Sequence, residues 1–134
     1  MNGVMIKEYA LILLCLTLFS ACDKIVTPAL AGKWQLKTVE KNGVETAVDT
    51  VWYNFQSESV FTLQVYVPQQ DTFLESPGLK KQDNKVLSIR LEFDTHIEYS
   101  DWTDRERSFT IEHLNRKKLI LRSEEGYHYS FIKF

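Results

Sequence analysis

Residues 109–122 read FTIEHLNRKKLILR, and this stretch guides the interpretation of the whole chain. Phe109 and Ile111 alternate with polar residues, which is the period of two that a half-buried β-strand shows. An Asn-Arg pair then predicts a turn, and the following Lys-Leu-Ile-Leu-Arg predicts a second strand. The stretch is therefore predicted to be a β-hairpin, with His113 on the same face as the two apolar side chains.

The same alternation recurs along most of the chain. It is clearest in residues 86–93 (VLSIRLEF), and residues 33–40, 61–67 and 127–134 show a similar pattern. The Asn-Gly pair at 42–43 tolerates positive φ and is typical of a hairpin turn. About eight or nine short strands with short connections, and no convincing helix, predict an all-β fold. We expect an antiparallel up-and-down β-barrel of about eight strands.

Two segments give weaker signals. Residues 69–84 begin like a strand, but Pro77-Gly78 interrupts the pattern, so we expect a long loop there. Residues 96–102 predict a short, weak strand that ends in a polar turn.

The N-terminal segment has a different character. Residues 9–19 (YALILLCLTLF) are apolar except for Thr17, and Ser-Ala-Cys22 follows. This layout is typical of a secretory signal peptide that ends in a lipobox, after which Cys22 would carry the acyl chains. A transmembrane anchor or a buried core helix are the alternatives. The run has roughly half of the about 20 apolar residues that a span needs, and it is apolar all round rather than amphipathic.

The chain is thus predicted to have three parts. Residues 1–21 form a lipoprotein signal peptide, with Met1 or Met5 as the start, residues 22–30 form the acylated cysteine and a tether, and residues 31–134 form one barrel domain. Removal of residues 1–21 from the 134 leaves 113 residues, which is enough for one domain with a real core.

Charge and cysteine content exclude several classes of protein. The net charge of −2 offers no basic excess for a phosphate backbone, so nucleic-acid binding is not expected. Of the two cysteines, Cys15 lies in the predicted signal peptide and Cys22 is used by the anchor. The domain then has no thiol for a disulfide, a zinc site or a nucleophile.

Two parts of the domain resemble the lipocalins. Gly32-Lys33-Trp34 resembles the Gly-x-Trp motif that opens the lipocalin barrel, and residues 109–122 resemble the ending of lipocalin-like lipoproteins of Gram-negative envelopes. The resemblance implies that Gly32, Trp34 and Arg122 are structural, with Arg122 in a cation–π contact over Trp34 at the closed end. It also implies binding of small apolar ligands and an anchor in the outer membrane, which we expect on the periplasmic side. Asp23 directly after the acylated cysteine would instead favour the inner membrane under some sorting rules. The chain is shorter than full-size lipocalins, lacks their disulfide and has no helix between its last predicted strands.

No motif typical of an enzyme or of a metal centre is found. The three histidines have no metal-ligand spacing. Glu124-Glu125 and the pair Asp101 and Asp104 are carboxylates at predicted turns, where charges are usually solvated rather than catalytic. Serine-nucleophile motifs and glycine-rich phosphate loops are absent. We therefore expect no catalysis, no cofactor and no metal.

The inward alternation supplies the candidate ligand-binding residues. They are Tyr53, Phe55, Phe61, Leu63, Ile89, Phe109, Tyr129 and Phe131. These bulky side chains either fill the barrel as a core or, near its open end, line a pocket for a small hydrophobic ligand. In the second case the hydroxyl of Tyr53 or Tyr129 is the expected polar contact.

Two functions remain open. The first is a membrane-anchored protein that binds a small hydrophobic ligand inside the barrel. The second is a barrel with a solid core that contacts a protein partner in the cell envelope. For the second, the expected exposed aromatic residues are Trp52, Tyr66, Tyr99 and Trp102.

Overall fold

The computed structural model describes residues 30–134, most of which lie in β-strands. The strands are β1 (Gly32–Lys41), β2 (Val44–Ala47), β3 (Val51–Phe55), β4 (Val60–Val67), β5 (Thr72–Asp83), β6 (Val86–Leu91), β7 (Glu106–Leu114), β8 (Lys118–Ser123) and β9 (His128–Lys133). A single 3₁₀ turn, Ile97–Tyr99, is the only helical element of this part of the chain. None of its helices is therefore long and apolar enough to cross a membrane. The predicted signal peptide, Cys22 and most of the tether lie outside the described residues.

The strands form a closed antiparallel barrel, as the alternation predicted. Consecutive strands from β3 to β9 pair with one another, and β1 closes the ring by pairing with both β3 and β9. Eight strands make the barrel, since β2 pairs only with the second half of β1 in a hairpin around Asn42 and Gly43. Both turn residues have positive φ, as an Asn-Gly hairpin turn requires.

One apolar core fills the barrel. Its buried members come from every barrel strand except β5, from Leu30 just before β1 and from the β6–β7 connection, and they include every predicted lining residue. The closed ring and the core cluster described here both lie within residues 30–134.

The prediction of a long loop at residues 69–84 is wrong, because most of this segment forms the twelve-residue strand β5. Pro77 cannot donate a ladder hydrogen bond, but its carbonyl accepts one from the Glu92 amide at 2.9 Å. Gly78 is needed where β5 approaches β6, since a Cβ there would clash with the carbonyl oxygen of Arg90. The Pro-Gly pair therefore marks a close strand contact rather than a break.

Two further local predictions are corrected. A β-bulge between Ile111 and His113 shifts the alternation of β7, so that His113 faces solvent and Leu114 turns toward the core. Residues 96–102 are not a strand. They belong to the β6–β7 connection, residues 92–105, which we name the mouth loop because it folds over one end of the barrel.

Candidate functional site

The predicted lining residues are packed against one another rather than around a void. The ring of Tyr53 lies 5.5 Å from that of Phe61, 4.7 Å from that of Phe131 and 6.3 Å from that of Phe109. Phe55 packs on Phe61 at 5.2 Å. The middle of the barrel is therefore a solid aromatic core, and any ligand has to be sought toward one of its ends.

The closed end is built around Trp34. Its indole nitrogen donates a 2.9 Å hydrogen bond to the carbonyl oxygen of Leu30, and its ring is fully buried. The ammonium of Lys133 lies over the ring, 4.6 Å from its centroid. This end is thus sealed by side chains of the first and last barrel strands.

Arg122 does not make the predicted contact with Trp34. On β8 the inward positions are Leu119 and Leu121, so the following Arg122 faces outward. Its guanidinium pairs there with Glu112 at 3.2 Å. The cation that covers the motif tryptophan is Lys133, which is paired with Trp34 in the β1–β9 register.

The opposite end is occupied by Trp102 from the mouth loop. Its indole nitrogen donates a 2.7 Å hydrogen bond to the hydroxyl of Tyr53, and its ring lies nearly parallel to that of Phe61, with 6.1 Å between centroids. The side chain is only 3% exposed. The prediction that Trp102 is exposed is therefore wrong, because the loop folds back into the barrel.

Arg107 is the second residue of β7 and lies next to Trp102 at the mouth of the barrel. Its guanidinium carbon is 5.4 Å from the centroid of the Trp102 ring and 4.8 Å from that of Tyr129. Nη2 donates a 2.7 Å hydrogen bond to the Tyr129 hydroxyl. Nη1 is buried and has no hydrogen-bond partner among residues 30–134. An arginine is thus held inside the mouth with one donor unused.

Asp101 joins these groups into one cluster. Its carboxylate accepts a hydrogen bond from the Tyr129 hydroxyl at 2.5 Å and another from the Lys41 ammonium at 3.0 Å. Nη1 of Arg107 lies 4.0 Å from the same carboxylate. Asp101 is therefore the shared counter-ion of two cations, and not the freely solvated turn carboxylate that its position in the sequence predicts.

A cleft of about 520 Å³ opens above this cluster at the barrel mouth. Its walls come from the end of β1, the mouth loop, the start of β7 and the β8–β9 turn. They are lined by Lys41, Asp101, Thr103, Asp104, Glu106, Arg107, Ser108, Ser123, Glu124, Glu125, Tyr127 and Tyr129. The lining is mostly polar, whereas the floor beneath it is the aromatic core.

The comparisons with known proteins agree with this architecture. Residues 16–134 match the family described as a lipocalin-like domain. The chain belongs to the lipocalin-like domain family. A lipocalin-like protein from Bacteroides uniformis has a similar crystal structure, with 29% identity, a TM-score of 0.69, and coverage of 78% of this chain and 98% of its own. An uncharacterized protein from Bacteroides eggerthii is similar at 26% identity, with a TM-score of 0.68, and coverage of 79% and 100%. No curated protein matches this chain.

Burial shifts the pKa values of the ionisable side chains at the mouth of this lipocalin-like barrel. It raises the pKa of the Tyr53 and Tyr129 hydroxyls, and at Tyr129 the hydrogen bond to Asp101 raises the pKa further. Burial lowers the pKa of Arg107, but the interactions with Tyr53 and Tyr129 outweigh this effect and the pKa ends above its ordinary value. The mouth thus presents neutral hydroxyls and a permanent cation.

Within residues 30–134, no three side chains of the His, Cys, Asp and Glu type come together in a way that could hold a metal ion. The acids Asp104, Glu124 and Glu125 line the cleft. The arrangement is suited to holding a ligand by charge and stacking.

Three groups of the mouth were missed or misplaced by sequence reasoning. Arg107 lies on the same face of its strand as Phe109 and Ile111 by the alternation of side chains. An arginine at this inward-facing position is the sequence signal that could have identified it. Trp102 and Asp101 lie in a loop, where no alternation indicates which side chains point inward.

Proposed function

We propose that this protein is a lipid-anchored envelope protein whose barrel binds one small ligand at its mouth. The lipocalin-like fold supports small-ligand binding in general, because an eight-stranded barrel accommodates a single small molecule at an open end. The observation that carries the proposal is Arg107, whose side chain is 13% exposed and whose buried Nη1 has no hydrogen-bond partner among residues 30–134, at the bottom of the cleft. Buried donors are normally paired, and a ligand would provide the partner.

The proposed site lies closer to the mouth of the barrel than a pocket enclosed by the predicted lining residues would. Phe55, Leu63 and Ile89 are fully packed in the core and have no free face. Tyr53 and Tyr129 reach the mouth with their hydroxyls. The ligand would therefore place its apolar part against the aromatic core and its polar part in the cleft.

Native mass spectrometry of residues 23–134, expressed in a bacterial envelope and purified without detergent, tests ligand binding. A reproducible extra mass that is released on denaturation supports the proposal. The matched variants are Arg107→Met, which removes the buried cation, and Arg90→Met, which removes an exposed arginine of β6. The extra mass is expected to disappear with the first variant and to persist with the second. Loss with both, or persistence with both, would place the ligand elsewhere.

The membrane anchor is tested separately at Cys22. The apolar run before this cysteine and the small residues beside it support acylation. Cells fed an alkyne-bearing fatty acid are expected to label the full-length chain and the Cys15→Ala variant, but not Cys22→Ala. Equal labelling of the two variants would exclude the proposed site. Fractionation of the labelled protein would then test the outer membrane and its periplasmic side.

Binding of an envelope protein partner remains a second candidate, supported by an outer aromatic cluster. Two of the four aromatic residues first considered, Trp52 and Trp102, are buried rather than exposed. Trp52 instead forms the base of a surface cluster, under Phe73 at 5.7 Å and Phe134 at 6.1 Å. Phe73 is 53% exposed and Phe134 is 70% exposed.

A photo-crosslinking side chain tests this second function in cells. Placed at Phe73 it is expected to capture a partner, whereas placed at Val86, an exposed apolar position of β6, it is not. Equal crosslinking at both positions would indicate nonspecific contact.

A further inference from the structure

The dipeptide Asp101-Trp102 occupies the mouth in the way a bound ligand would. Its carboxylate accepts hydrogen bonds from Lys41 and Tyr129. Its aromatic ring stacks on Phe61 and donates a hydrogen bond to Tyr53. One short piece of chain thus places an acidic group on the cations and a flat ring on the aromatic core.

We propose that Asp101-Trp102 is an intramolecular stand-in for the ligand, and that the ligand is a small aromatic carboxylic acid which displaces the mouth loop. This inference rests on the proposed binding function and adds the chemical class of the ligand and the step that admits it.

The charges of the mouth support a carboxylic acid. Within residues 30–134, Asp101 is the only acid that forms an ion pair with Lys41 or with Arg107. Displacement of the loop therefore removes the one carboxylate that lies within 4.0 Å of these two cations in the described chain. A ligand carboxylate would restore their pairing and could also reach the unused Nη1 of Arg107.

Acidic side chains at the rim of the cleft limit the ligand to one negative charge. Three carboxylates outside the mouth loop also line it, those of Glu106, Glu124 and Glu125. They would repel a second negative charge on the ligand. A monocarboxylate fits this distribution better than a phosphate does.

The ring of Trp102 supports an aromatic body for the ligand. It lies at an interplanar angle of 17° to Phe61 and at 69° to Tyr53. The space that the ring fills, which we name the slot, therefore accepts a flat group that stacks on Phe61 and meets Tyr53 edge to face. The Tyr53 hydroxyl at its end accepts one hydrogen bond from a ring N–H. These contacts define a flat, mostly apolar ring with one donor.

The mouth loop is attached in a way that permits displacement. Its base is fixed where the Leu91 amide donates to the Arg105 carbonyl at 2.8 Å and Glu92 donates to Pro77. Between residues 93 and 104, the backbone–backbone hydrogen bonds seen in the described chain stay inside the loop. The Asp101 and Trp102 side chains, with Ile97 packed against the core, hold the loop tip on the barrel. Exchange of the Asp101 and Trp102 contacts for those of a ligand would weaken this attachment.

Three matched probes test the inference on residues 23–134, the part of the chain that contains the closed barrel. They are indole-3-propionate, its neutral amide indole-3-propionamide, and the cation tryptamine. Binding is followed by the indole N–H signals of the three tryptophans in ¹⁵N-labelled protein, with the Trp102 signal assigned from its loss in Trp102→Phe.

The acid is expected to move the Trp102 signal toward the position of a solvent-exposed indole while the Trp34 signal stays in place. The amide and the amine are expected to bind at least about tenfold more weakly than the acid, because they lose the charge-assisted hydrogen bonds. In Arg107→Met the preference for acid over amide should fall to about twofold or less.

Removal of the stand-in should strengthen binding of the acid. Trp102→Ala vacates the slot, and the acid is expected to bind it at least about tenfold more tightly than it binds the unmodified domain, because no closed loop competes. If that variant does not fold, Asp101→Asn serves instead, since it weakens the hold of the loop and leaves the core ring in place. It should also bind the acid more tightly.

The outcomes separate this inference from the proposed function. Equal binding of acid and amide, or binding that leaves the Trp102 signal unmoved, overturns the inference while ligand binding at the mouth stands. Weaker binding of the acid by Trp102→Ala and Asp101→Asn also overturns it. No binding of any probe by any variant, together with a clean mass in native spectrometry, overturns both.

Discussion

Lys133 lies with its ammonium 4.6 Å from the centre of the Trp34 ring, and the two residues are direct partners in the pairing of β1 with β9. The same ammonium donates to the carbonyl oxygen of Ala31. One side chain therefore covers the aromatic residue at the closed end and satisfies the backbone that leads into β1.

Replacement of this lysine tests its role against that of Arg122. Lys133→Met should lower the free energy of unfolding by about 1–2 kcal/mol, because a cation–π contact and a hydrogen bond are lost. Arg122→Met should change it by about 0.5 kcal/mol or less, since its pair with Glu112 is exposed. Urea unfolding of the two variants measures both values. A larger effect at Arg122 would restore the role that the lipocalin resemblance implies.

Replacement of Gly32 by alanine is expected to cost more stability than the same replacement of Gly43. Both have positive φ, so both substitutions to alanine strain the backbone, by about 1 kcal/mol or more. Only at Gly32 would the added Cβ also clash with the end of Lys133. Gly32→Ala should therefore be the more destabilising variant in urea unfolding. The difference between the two should shrink in a Lys133→Met background, and an unchanged difference would argue against the clash.

The hydrogen bond between Tyr53 and Trp102 should hold the mouth loop. Tyr53→Phe leaves the buried indole N–H without its acceptor, which costs about 1–3 kcal/mol of stability. The amides of residues 97–104 should exchange with deuterium faster than in the unmodified protein. Tyr66→Phe is the matched control, because its hydroxyl bonds to Asp71 at the surface. Unchanged exchange in the loop would show that the bond does not restrain it.

Stability should fall at alkaline pH. Tyr53 and Tyr129 have pKa values raised above their usual 10.0 by burial, so they keep their protons in the folded state. Above pH 10 the unfolded chain binds fewer protons than the folded chain. The free energy of unfolding then drops by about 1.4 kcal/mol per pH unit for each tyrosine, until the folded pKa is passed.

Urea unfolding between about pH 9 and pH 11.5 measures this slope. Tyr129→Phe lacks one of these groups and should show a smaller slope, whatever its stability at neutral pH. An equal slope in the variant would mean that other groups cause the loss.

The strand pattern predicted the barrel because the alternation of side chains is a local property. Phe109, Ile111, Leu119 and Leu121 face inward whatever their neighbours are, since each strand has only two faces. The pattern failed in β5 because Pro77 and Gly78 also occur where two strands approach closely, and this approach depends on the partner strand.

The candidate site was predicted only in part, for a related reason. Tyr53 and Tyr129 lie on strands, and their inward direction could be read from the sequence. The cation over Trp34 depends on the register between the first and last strands, which local patterns do not contain, and the lipocalin resemblance implies Arg122 rather than Lys133. Trp102 reaches the mouth through the path of a loop, and only the folded chain defines that path.

The pairing of β1 with β9 also bears on how the chain acquires its shape. Leu36 meets Phe131 across this seam, so the ring closes through contacts between residues that are far apart in sequence. Such distant contacts make folding slow, because a large loss of chain entropy precedes them. The barrel is therefore expected to close only after β9 has been synthesised. Until then the free edge of β1 is open to pairing with another chain, which makes incomplete molecules prone to aggregation.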